Sequence, residues 1–142
     1  MTSISKPLPN LEYAFHAPFW EGTRLGELRV QRCLGCGRHR SPPHPACPDC
    51  LSLETEWVAV EPRGTLFTWN ISNQAMHPAF KDETPFAIVI VALSAAPGVR
   101  FLGRLVGADY QDLRADQPME AVFEPVTDEV TLVNWRPAAA PA

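Results

Sequence analysis

The four cysteines of this chain are the clearest candidates for a chemical role. They form two Cys-x-x-Cys pairs separated by ten residues: Cys33, Cys36, Cys47 and Cys50. A spacing of two lets both thiolates of a pair face one side of a tight turn, and two such turns supply the four sulfurs of a closed tetrahedral zinc site. A catalytic zinc keeps one position open for water or substrate. The pattern therefore predicts a structural metal with no chemistry at it.

Other uses of four cysteines fit less well. Two disulfides need an oxidising compartment, but the chain opens Met-Thr-Ser-Ile-Ser-Lys-Pro-Leu, without a basic segment, an apolar run and a cleavage site. We therefore expect a reduced, cytoplasmic setting. A thioredoxin-like redox pair would want a βαβ context and would leave the second pair idle. Iron in a rubredoxin-like site is the alternative metal, because four thiolates do not by themselves choose between iron and zinc.

The residues around the pairs predict two turns of unequal quality. Gly37 follows the first pair and can take the positive φ that lets backbone N–H groups turn toward the sulfurs, whereas Leu51 stands at the corresponding place after the second pair. Leu51 must accept a costlier conformation or belong to a differently shaped turn. His39 and His44 lie between the pairs, and we expect both to be loop or surface residues. The segment 38–45 is too rich in proline for a helix and predicts an extended hairpin.

Composition limits the classes of function that the chain can serve. Its 142 residues carry a net charge of −4 and are 46% hydrophobic, an ordinary globular composition. The acidic balance weighs against nonspecific nucleic-acid binding, which is driven by cationic charge. We find no run of about 18 apolar residues, so we expect no membrane helix.

The ribbon must be positioned by the elements on either side of it. Pro18 suits the first turn of a short helix that ends near Gly26, and alternation from Leu28 to Arg32 predicts a strand leading into the first pair. The aromatic residues of the arm either pack on their own domain or dock into a partner; these are Phe15, Phe19 and Trp20.

Repeated β patterns follow the ribbon and predict a second domain. A first run covers 57–60, and five longer ones cover 64–72, 85–93, 99–106, 119–126 and 130–135, with a short helix capped by Asp109 after the third of these. Three strands, a helix and two strands are the order of a five-stranded OB-fold barrel, with an SH3-like barrel as the alternative. The run 85–93 is apolar on both faces and should be covered on both.

The fold class is therefore mostly β, with a short N-terminal helix, a rubredoxin-like zinc ribbon and a five-stranded OB-fold barrel. The predicted boundaries are an arm and helix at 1–31, the ribbon at 32–56, the OB-fold at 57–136 and a disordered tail at 137–142.

An ordered set of motifs resembles one family, the zinc-ribbon and OB-fold proteins associated with acyl-CoA enzymes. The set runs through Phe19-Trp-Glu-Gly, Leu28-x-Val-Gln-Arg-Cys-x-x-Cys-Gly, Pro42-Pro-x-x-x-Cys-Pro-x-Cys, Gly64-Thr-Leu-Phe-Thr, His77-Pro-Ala-Phe, Leu105-Val-Gly and Met119-Glu-Ala-Val-Phe-Glu. The resemblance implies an accessory subunit of a heteromeric complex. Its partners would be thiolase-like enzymes, including thiolases, sterol side-chain aldolases and acyltransferases, or hydratases acting on CoA thioesters.

The chain itself offers no catalytic residue. Every cysteine is assigned to the metal, which removes the natural thioester nucleophile, and we find no Ser-x-Gly elbow, His-Glu-x-x-His or phosphate loop. We therefore expect no enzyme activity from this chain alone. The reactive groups would come from the partner.

A CoA thioester carries phosphates, an adenine and an apolar acyl part, so a surface that contacts it needs cations beside apolar walls. The candidates are Arg100 and Arg104, which share a strand face with Leu102, and His77 and Lys81 in the loop 72–85. The alternative is that the arginines solvate an open barrel face or pair with Glu120 and Glu124.

Two other functions compete with the accessory-subunit hypothesis. A single-stranded nucleic-acid-binding module is the first, because zinc ribbons and OB-folds both occur in such proteins, but it requires a basic groove with aromatic residues. A free-standing redox or metal enzyme is the second.

Overall fold

The chain begins with a helix and continues as two antiparallel sheets. The computed structural model describes residues 4–139. Over this part the helix is α1 (Ala17–Arg24), and the strands are β1 (Leu28–Cys33), β2 (His39–Arg40), β3 (Thr55–Val60), β4 (Arg63–Ser72), β5 (Phe86–Leu93), β6 (Arg100–Arg104), β7 (Pro118–Pro125) and β8 (Thr131–Pro137). Two 3₁₀ turns lie at Pro78–Glu83 and Tyr110–Asp112.

Helix α1 has the predicted start and stop. Pro18 lies in its first turn, where a missing N–H costs nothing. Gly26 ends it with a φ of +75°, and the N–H groups of Leu25 and Glu27 both donate to the carbonyl of Gly22, at 2.9 Å each. The reversal sends the chain directly into β1, so the helix lies beside the start of the ribbon.

The smaller sheet has the order β2-β1-β3 and carries the cysteines at one end. All six residues of β3 pair with β1, from Leu28 with Val60 to Cys33 with Thr55. Residues 57–60 are the predicted first run of the OB domain at 57–136, but their hydrogen-bonded partner is the ribbon strand. The ribbon is therefore braced by a strand that follows both cysteine pairs.

The larger sheet has the order β6-β5-β4-β7-β8, which confirms the five predicted OB strands. The predicted helix after β6 is only the 3₁₀ turn Tyr110–Asp112, and Asp109 caps it by accepting from the N–H of Gln111 at 2.8 Å. The barrel is not closed by a ladder. Strands β6 and β8 meet at a single parallel bridge between Leu105 and Trp135, so a gap opens between them toward the start of β6.

The core lies on the inner face of this sheet and extends under the ribbon. Val89 and Val91 of β5 are buried with Trp135 of β8, and the same cluster includes Leu28 and Val30 of β1. The outer residues of β5 are partly buried and none is exposed, so the second face of this strand is covered in part. Pro7, Leu8 and Phe80 lie beside Phe86 and Ile88 of this face.

The last strand extends one residue beyond the predicted end of the OB-fold at residue 136. Pro137, assigned to the disordered tail at 137–142, is the last residue of β8, and the N–H of Ala138 donates to the carbonyl of Pro118 at 2.9 Å. Residues 140–142 of that tail and 1–3 of the arm lie outside the described residues. Within 4–139, no helix is long and apolar enough to cross a membrane.

Candidate metal centre and binding grooves

The four cysteine sulfurs converge on one point at the end of the ribbon. All four lie within 4.8 Å of one another. The Sγ atoms of Cys33 and Cys50 are 3.5 Å apart, and those of Cys36 and Cys47 are 3.6 Å apart. Tetrahedral zinc with Zn–S bonds of about 2.3 Å places its sulfurs about 3.8 Å apart. The donor set and the spacing therefore fit a closed Cys₄ zinc site with no open coordination position.

The two cysteine turns have matching backbones. The N–H of Gly37 donates to the carbonyl of Cys33 at 2.8 Å, and the N–H of Leu51 donates to that of Cys47 at 2.9 Å. Gly37 has a φ of +78° and Leu51 a φ of +63°. Of the two outcomes predicted for Leu51, the structure shows the costlier conformation, because the second turn copies the first. The side chain of Leu51 is 76% exposed, so its packing does not compensate for that cost.

Local hydrogen bonds already favour thiolate at two of the four ligands. The backbone N–H of Cys36 is the main cause that lowers the pKa of Cys33 to about 6, and the backbone N–H of Cys50 is the main cause that lowers the pKa of Cys47. At Cys50 the N–H of Ser52 acts in the lowering direction, but hydrogen bonding with Cys33, burial and the other thiols outweigh it and raise the pKa to about 12. Four thiolates cannot share this space without a cation, which is the charge that zinc supplies.

The two histidines between the pairs do not join this cluster in the described chain. His39 lies in β2, paired with Arg32, and His44 takes part through its backbone. Its N–H donates to the side-chain oxygen of Gln31 at 2.8 Å, and its carbonyl accepts from Arg40 at 3.1 Å. Arg40 also donates to Gln31 at 2.9 Å, so this buried clamp fastens the proline segment to β1. Sequence reasoning missed it, because the alternation of β1 gives no sign that Gln31 is buried.

A groove lies over the gap between β6 and β8. This edge groove has a volume of about 510 Å³ and is lined by Ile88, Phe19, Trp20, Ser41, Pro42, Arg100–Arg104 and residues 132–134. Strand β6 alternates as predicted: Phe101 and Gly103 are buried, whereas Arg100 and Leu102 are exposed. None of the described lining residues is acidic.

The two arginines of β6 have different environments. The Arg100 guanidinium lies 3.8 Å from the centre of the Phe67 ring. The Arg104 guanidinium lies 4.5 Å from the centre of the Phe86 ring and pairs with Glu83. The predicted alternative partners of these arginines were wrong: Glu120 pairs with Arg63 and Arg136, and Glu124 accepts from Asn134.

A second pocket adjoins the first and is more apolar. This aromatic pocket has a volume of about 350 Å³ and lies between the N-terminal arm and the sheet, with Pro7, Leu8, Phe80, Phe86 and Leu132 in its walls. Glu83 holds the arm here, because it pairs with Lys6 as well as with Arg104. Hydrogen bonds from Lys6 first, and then from Arg104, lower the pKa of Glu83.

The other two predicted ligand residues lie in or beside the 3₁₀ turn that holds Glu83. The Nδ1 atom of His77 accepts from the N–H of Ala79 at 3.2 Å, so this ring caps the turn. Lys81 is exposed. Neither residue lines the edge groove or the aromatic pocket, although the His77 ring lies 6.1 Å from that of Phe80. The structure thus brings Arg100 and Arg104 to one groove and places His77 and Lys81 outside it.

The aromatic residues of the arm pack on their own chain to different extents. Phe19 stacks on Phe101 of β6, with ring centres 5.8 Å apart, and Trp20 meets Phe19 edge-on at 4.9 Å. Phe15 is half-buried, with Tyr13 as its nearest aromatic ring at 6.4 Å. A role for Phe15, Phe19 and Trp20 in partner binding remains a prediction for their exposed portions.

The fold and the cysteine site define a protein built from a rubredoxin-like zinc ribbon and an OB-fold. Family models agree with this class: one described as the ChsH2 rubredoxin-like zinc ribbon domain matches residues 20–56, and one described as the ChsH2 C-terminal OB-fold domain matches residues 57–124. The chain belongs to this family, also known as DUF35.

Curated relatives carry names from acyl-CoA metabolism. The chain is 33% identical over 135 residues to the 3-oxo-4,17-pregnadiene-20-carboxyl-CoA hydratase alpha subunit of Mycobacterium tuberculosis, which covers 95% of this chain and 40% of that protein. It is 30% identical over 133 residues to a probable enoyl-CoA hydratase alpha subunit of Thermomonospora curvata, with 94% and 40% coverage. The chain thus spans about 40% of the length of these relatives.

A smaller relative and a solved structure match more evenly. A DUF35 domain-containing scaffold protein of Methanothermobacter thermautotrophicus is 27% identical over 103 residues, covering 72% of this chain and 75% of that protein. A chain of a solved structure titled Ltp2-ChsH2(DUF35) aldolase matches with a TM-score of 0.79 and 28% identity, covering 94% of this chain and all of that one. A DUF35 protein of Sulfolobus solfataricus shares the fold, with a TM-score of 0.61 and 14% identity.

Proposed function

We propose that this chain is a non-catalytic accessory subunit that binds a thiolase-like enzyme acting on CoA thioesters and supports its acyl-CoA binding or activity. The observation that carries the proposal is the likeness to a whole chain of the structure titled Ltp2-ChsH2(DUF35) aldolase. The relative from Methanothermobacter thermautotrophicus is named a scaffold protein, which supports the same role.

The position of all four cysteines at the metal site supports a non-catalytic role. All four cysteines lie in the metal cluster, and a closed Cys₄ site leaves zinc no position for substrate or water. Metal binding also requires reduced thiols, which supports a cytoplasmic setting. The zinc would act as a staple that holds the two cysteine turns at the end of β1.

Acyl-CoA contact by this chain is the finer part of the proposal. The aromatic pocket suits an apolar acyl or pantetheine segment, because Phe80, Phe86 and Leu132 supply its walls. Arg104 lies between this pocket and the edge groove. Lys81 lies in the neighbouring 3₁₀ turn, which His77 caps. Arg100 lies at the other end of β6. We assign phosphate contact to Lys81, since it forms no ion pair within the described chain.

A hydratase is the second candidate for the partner. Two relatives are named as hydratase alpha subunits, although each is much longer than this chain. The nucleic-acid alternative has weaker support, because the edge groove holds only two arginines and the chain carries a net charge of −4.

Copurification tests the proposal directly. A tagged copy expressed in its native host should recover a CoA-thioester enzyme in a fixed ratio, identified by mass spectrometry. That enzyme, purified without the chain, should lose activity or acyl-CoA affinity and regain it when the chain is added back. Recovery of a thiolase-like enzyme favours the first candidate and recovery of a hydratase the second. If no such enzyme is recovered and no such activity changes, the proposal is wrong.

A further inference from the structure

Strand β6 presents an unpaired backbone edge to the edge groove. The N–H of Leu105 donates to the carbonyl of Ala87 and the N–H of Leu93 donates to that of Val99, both at 3.0 Å, which fixes the phase of the β5–β6 ladder. In an antiparallel ladder with this phase, residues 99, 101, 103 and 105 bond to β5, whereas 100, 102 and 104 point away. The free edge therefore belongs to Arg100, Leu102 and Arg104.

Only the far end of this edge has a partner in the described chain. The N–H of Arg104 donates to the side-chain oxygen of Asn134 at 3.2 Å, and the N–H of Val106 donates to the carbonyl of Trp135 at 2.9 Å. The backbone N–H and C=O groups of Arg100 and Leu102 have no such partner and face the groove. Unpaired edges of this kind accept an added strand, and native proteins usually cover or block them.

The side chains around the edge also lack a cover. Leu102 is 64% exposed and stands across from Ile90 of β5, whose outer face is half-buried. Phe19 and Pro42 also line the groove. Arg100 gives the open end a positive charge, and no acidic residue lines the groove. The groove therefore combines apolar walls, free backbone groups and uncompensated positive charge.

We propose that an extended segment of the partner enzyme, carrying apolar side chains and an acidic one, adds to β6 as a strand in the edge groove. This inference rests on the proposed function. The N–H groups of Arg100 and Leu102 would donate to carbonyls of the segment, their carbonyls would accept from its N–H groups, and the acidic side chain would meet Arg100. A polypeptide fits better than a nucleic acid, because a polypeptide backbone alternates N–H donors and C=O acceptors at the spacing of β6.

Amide exchange measured by NMR tests the strand pairing residue by residue. In the isolated chain, the amides of Arg100 and Leu102 should exchange rapidly while those of Phe101 and Gly103 are protected. In the complex with the enzyme recovered by copurification, exchange at 100 and 102 should slow by about tenfold or more. The already protected amides of 101 and 103 serve as internal references.

A pair of substitutions separates the backbone from the side chain. Leu102→Pro removes the outward N–H without breaking a bond to β5, and proline is tolerated on a strand edge whose N–H faces solvent. It should weaken enzyme binding by about tenfold or more, whereas Leu102→Ala, which keeps the N–H, should cost less than about threefold. Arg100→Glu should weaken binding more than Arg100→Ala.

Four outcomes would overturn the inference while leaving the proposed function in place. The complex could form with exchange at Arg100 and Leu102 unchanged, or Leu102→Pro, shown to be folded by its amide spectrum, could bind normally. Protection of these amides by CoA or an acyl-CoA alone would make the groove a ligand site, and protection that rises with protein concentration would make it a contact between two copies. Failure to recover any CoA-thioester enzyme would overturn both proposals.

Discussion

Phe19 of α1 stacks on Phe101 of β6, with ring centres 5.8 Å apart and 14° between the ring planes. Phe101 is buried in the core and Phe19 packs against it, so this contact fastens the N-terminal helix to the OB sheet. The helix in turn forms one wall of the edge groove. The stacking therefore shapes the surface that we assign to the partner, even though Phe19 is largely committed to its own chain.

Replacing Phe19 by alanine should destabilise the protein and open the groove. The half-buried ring loses its apolar contact and its stacking partner, and we expect the free energy of unfolding to fall by about 2 kcal/mol. Phe19→Leu should retain about half of this contribution. Urea unfolding with several probes measures the change. Tyr13→Ala, at an arm residue that is 56% exposed, is the matched control and should change stability by less than about 0.5 kcal/mol. Equal losses in the two alanine variants would contradict the stacking role.

Leu51 should be replaceable by glycine at a gain. Its φ of +63° costs about 1 kcal/mol for a residue with a Cβ atom, and glycine avoids this cost. Glycine also raises the entropy of the unfolded chain, which offsets part of the gain in stability. We expect Leu51→Gly to stabilise the zinc-bound protein by up to about 1 kcal/mol. Gly37→Ala, at the matching position of the first turn, should destabilise it by about the same amount. Zinc-loaded samples unfolded in urea provide the comparison, and a loss of stability in Leu51→Gly would show that the leucine side chain stabilises the isolated chain.

Removing zinc should loosen the cysteine turns more than the sheets. The metal supplies on the order of 10 kcal/mol to ribbons of this kind, but Leu28 and Val30 at the base of β1 belong to the core of the OB-fold. A strong chelator should therefore speed exchange at amides 34–54 while β5 and β7 stay protected. Elemental analysis before treatment should give one zinc per chain. Cys47→Ser should reproduce the effect, and binding of the copurified enzyme should weaken in both samples. Uniform loss of protection across both sheets would contradict this picture.

The metal site and the five OB strands could be predicted because their signals are local. Two short cysteine spacings and runs of alternating residues each fit within a few positions of the chain. The conformation of Leu51 could be reduced to two outcomes in the same way, since Gly37 provided the comparison. The structure shows that Leu51 takes the costlier conformation, because its N–H donates to the carbonyl of Cys47 as the N–H of Gly37 donates to that of Cys33.

The rest depends on which distant segments meet, and composition does not record this. From the sequence alone, residues 57–60 fit a strand of either sheet. In the structure they pair with β1, which places them in the smaller sheet. Arg104 and Glu83 lie on different elements, so the sequence predicted the wrong carboxylate partners. The gap between β6 and β8 depends on how far the sheet curls before Leu105 reaches Trp135.

Gly103 should be required for that approach. A Cβ atom at this position would lie 2.7 Å from Cδ1 of Trp135 and 2.7 Å from the carbonyl oxygen of Val133, so β6 and β8 would have to separate. We expect Gly103→Ala to destabilise the protein by about 1–3 kcal/mol, as overpacking does in other cores. Leu102→Ala is the neighbouring control, because that side chain points outward. Urea unfolding tests stability, and the NMR signal of the Trp135 indole N–H should shift in Gly103→Ala alone. Equal stability of Gly103→Ala and the parent chain would show that the strands yield without cost.

Glu83 should make the N-terminal arm sensitive to acid. Its carboxylate pairs with Lys6 and Arg104, and these contacts lower its pKa below the ordinary value of 4.5. Because the pKa is lower in the folded state, the ionised carboxylate stabilises the fold at pH values above the ordinary pKa of 4.5. This stabilisation is lost as the pH falls through the lowered pKa of the folded state. At pH 7, Glu83→Gln should reduce stability by less than about 1 kcal/mol, because the pairs are partly exposed, and should raise the backbone mobility of Lys6 and Leu8 measured by NMR relaxation. The difference between variant and parent should shrink as the pH falls well below 4.5. Glu61→Gln, at an exposed residue with no ion pair among residues 4–139, should leave the arm unchanged at every pH. Arm mobility in Glu83→Gln equal to that of the parent at pH 7 would show that apolar contacts of Pro7 and Leu8 hold the arm without the ion pairs.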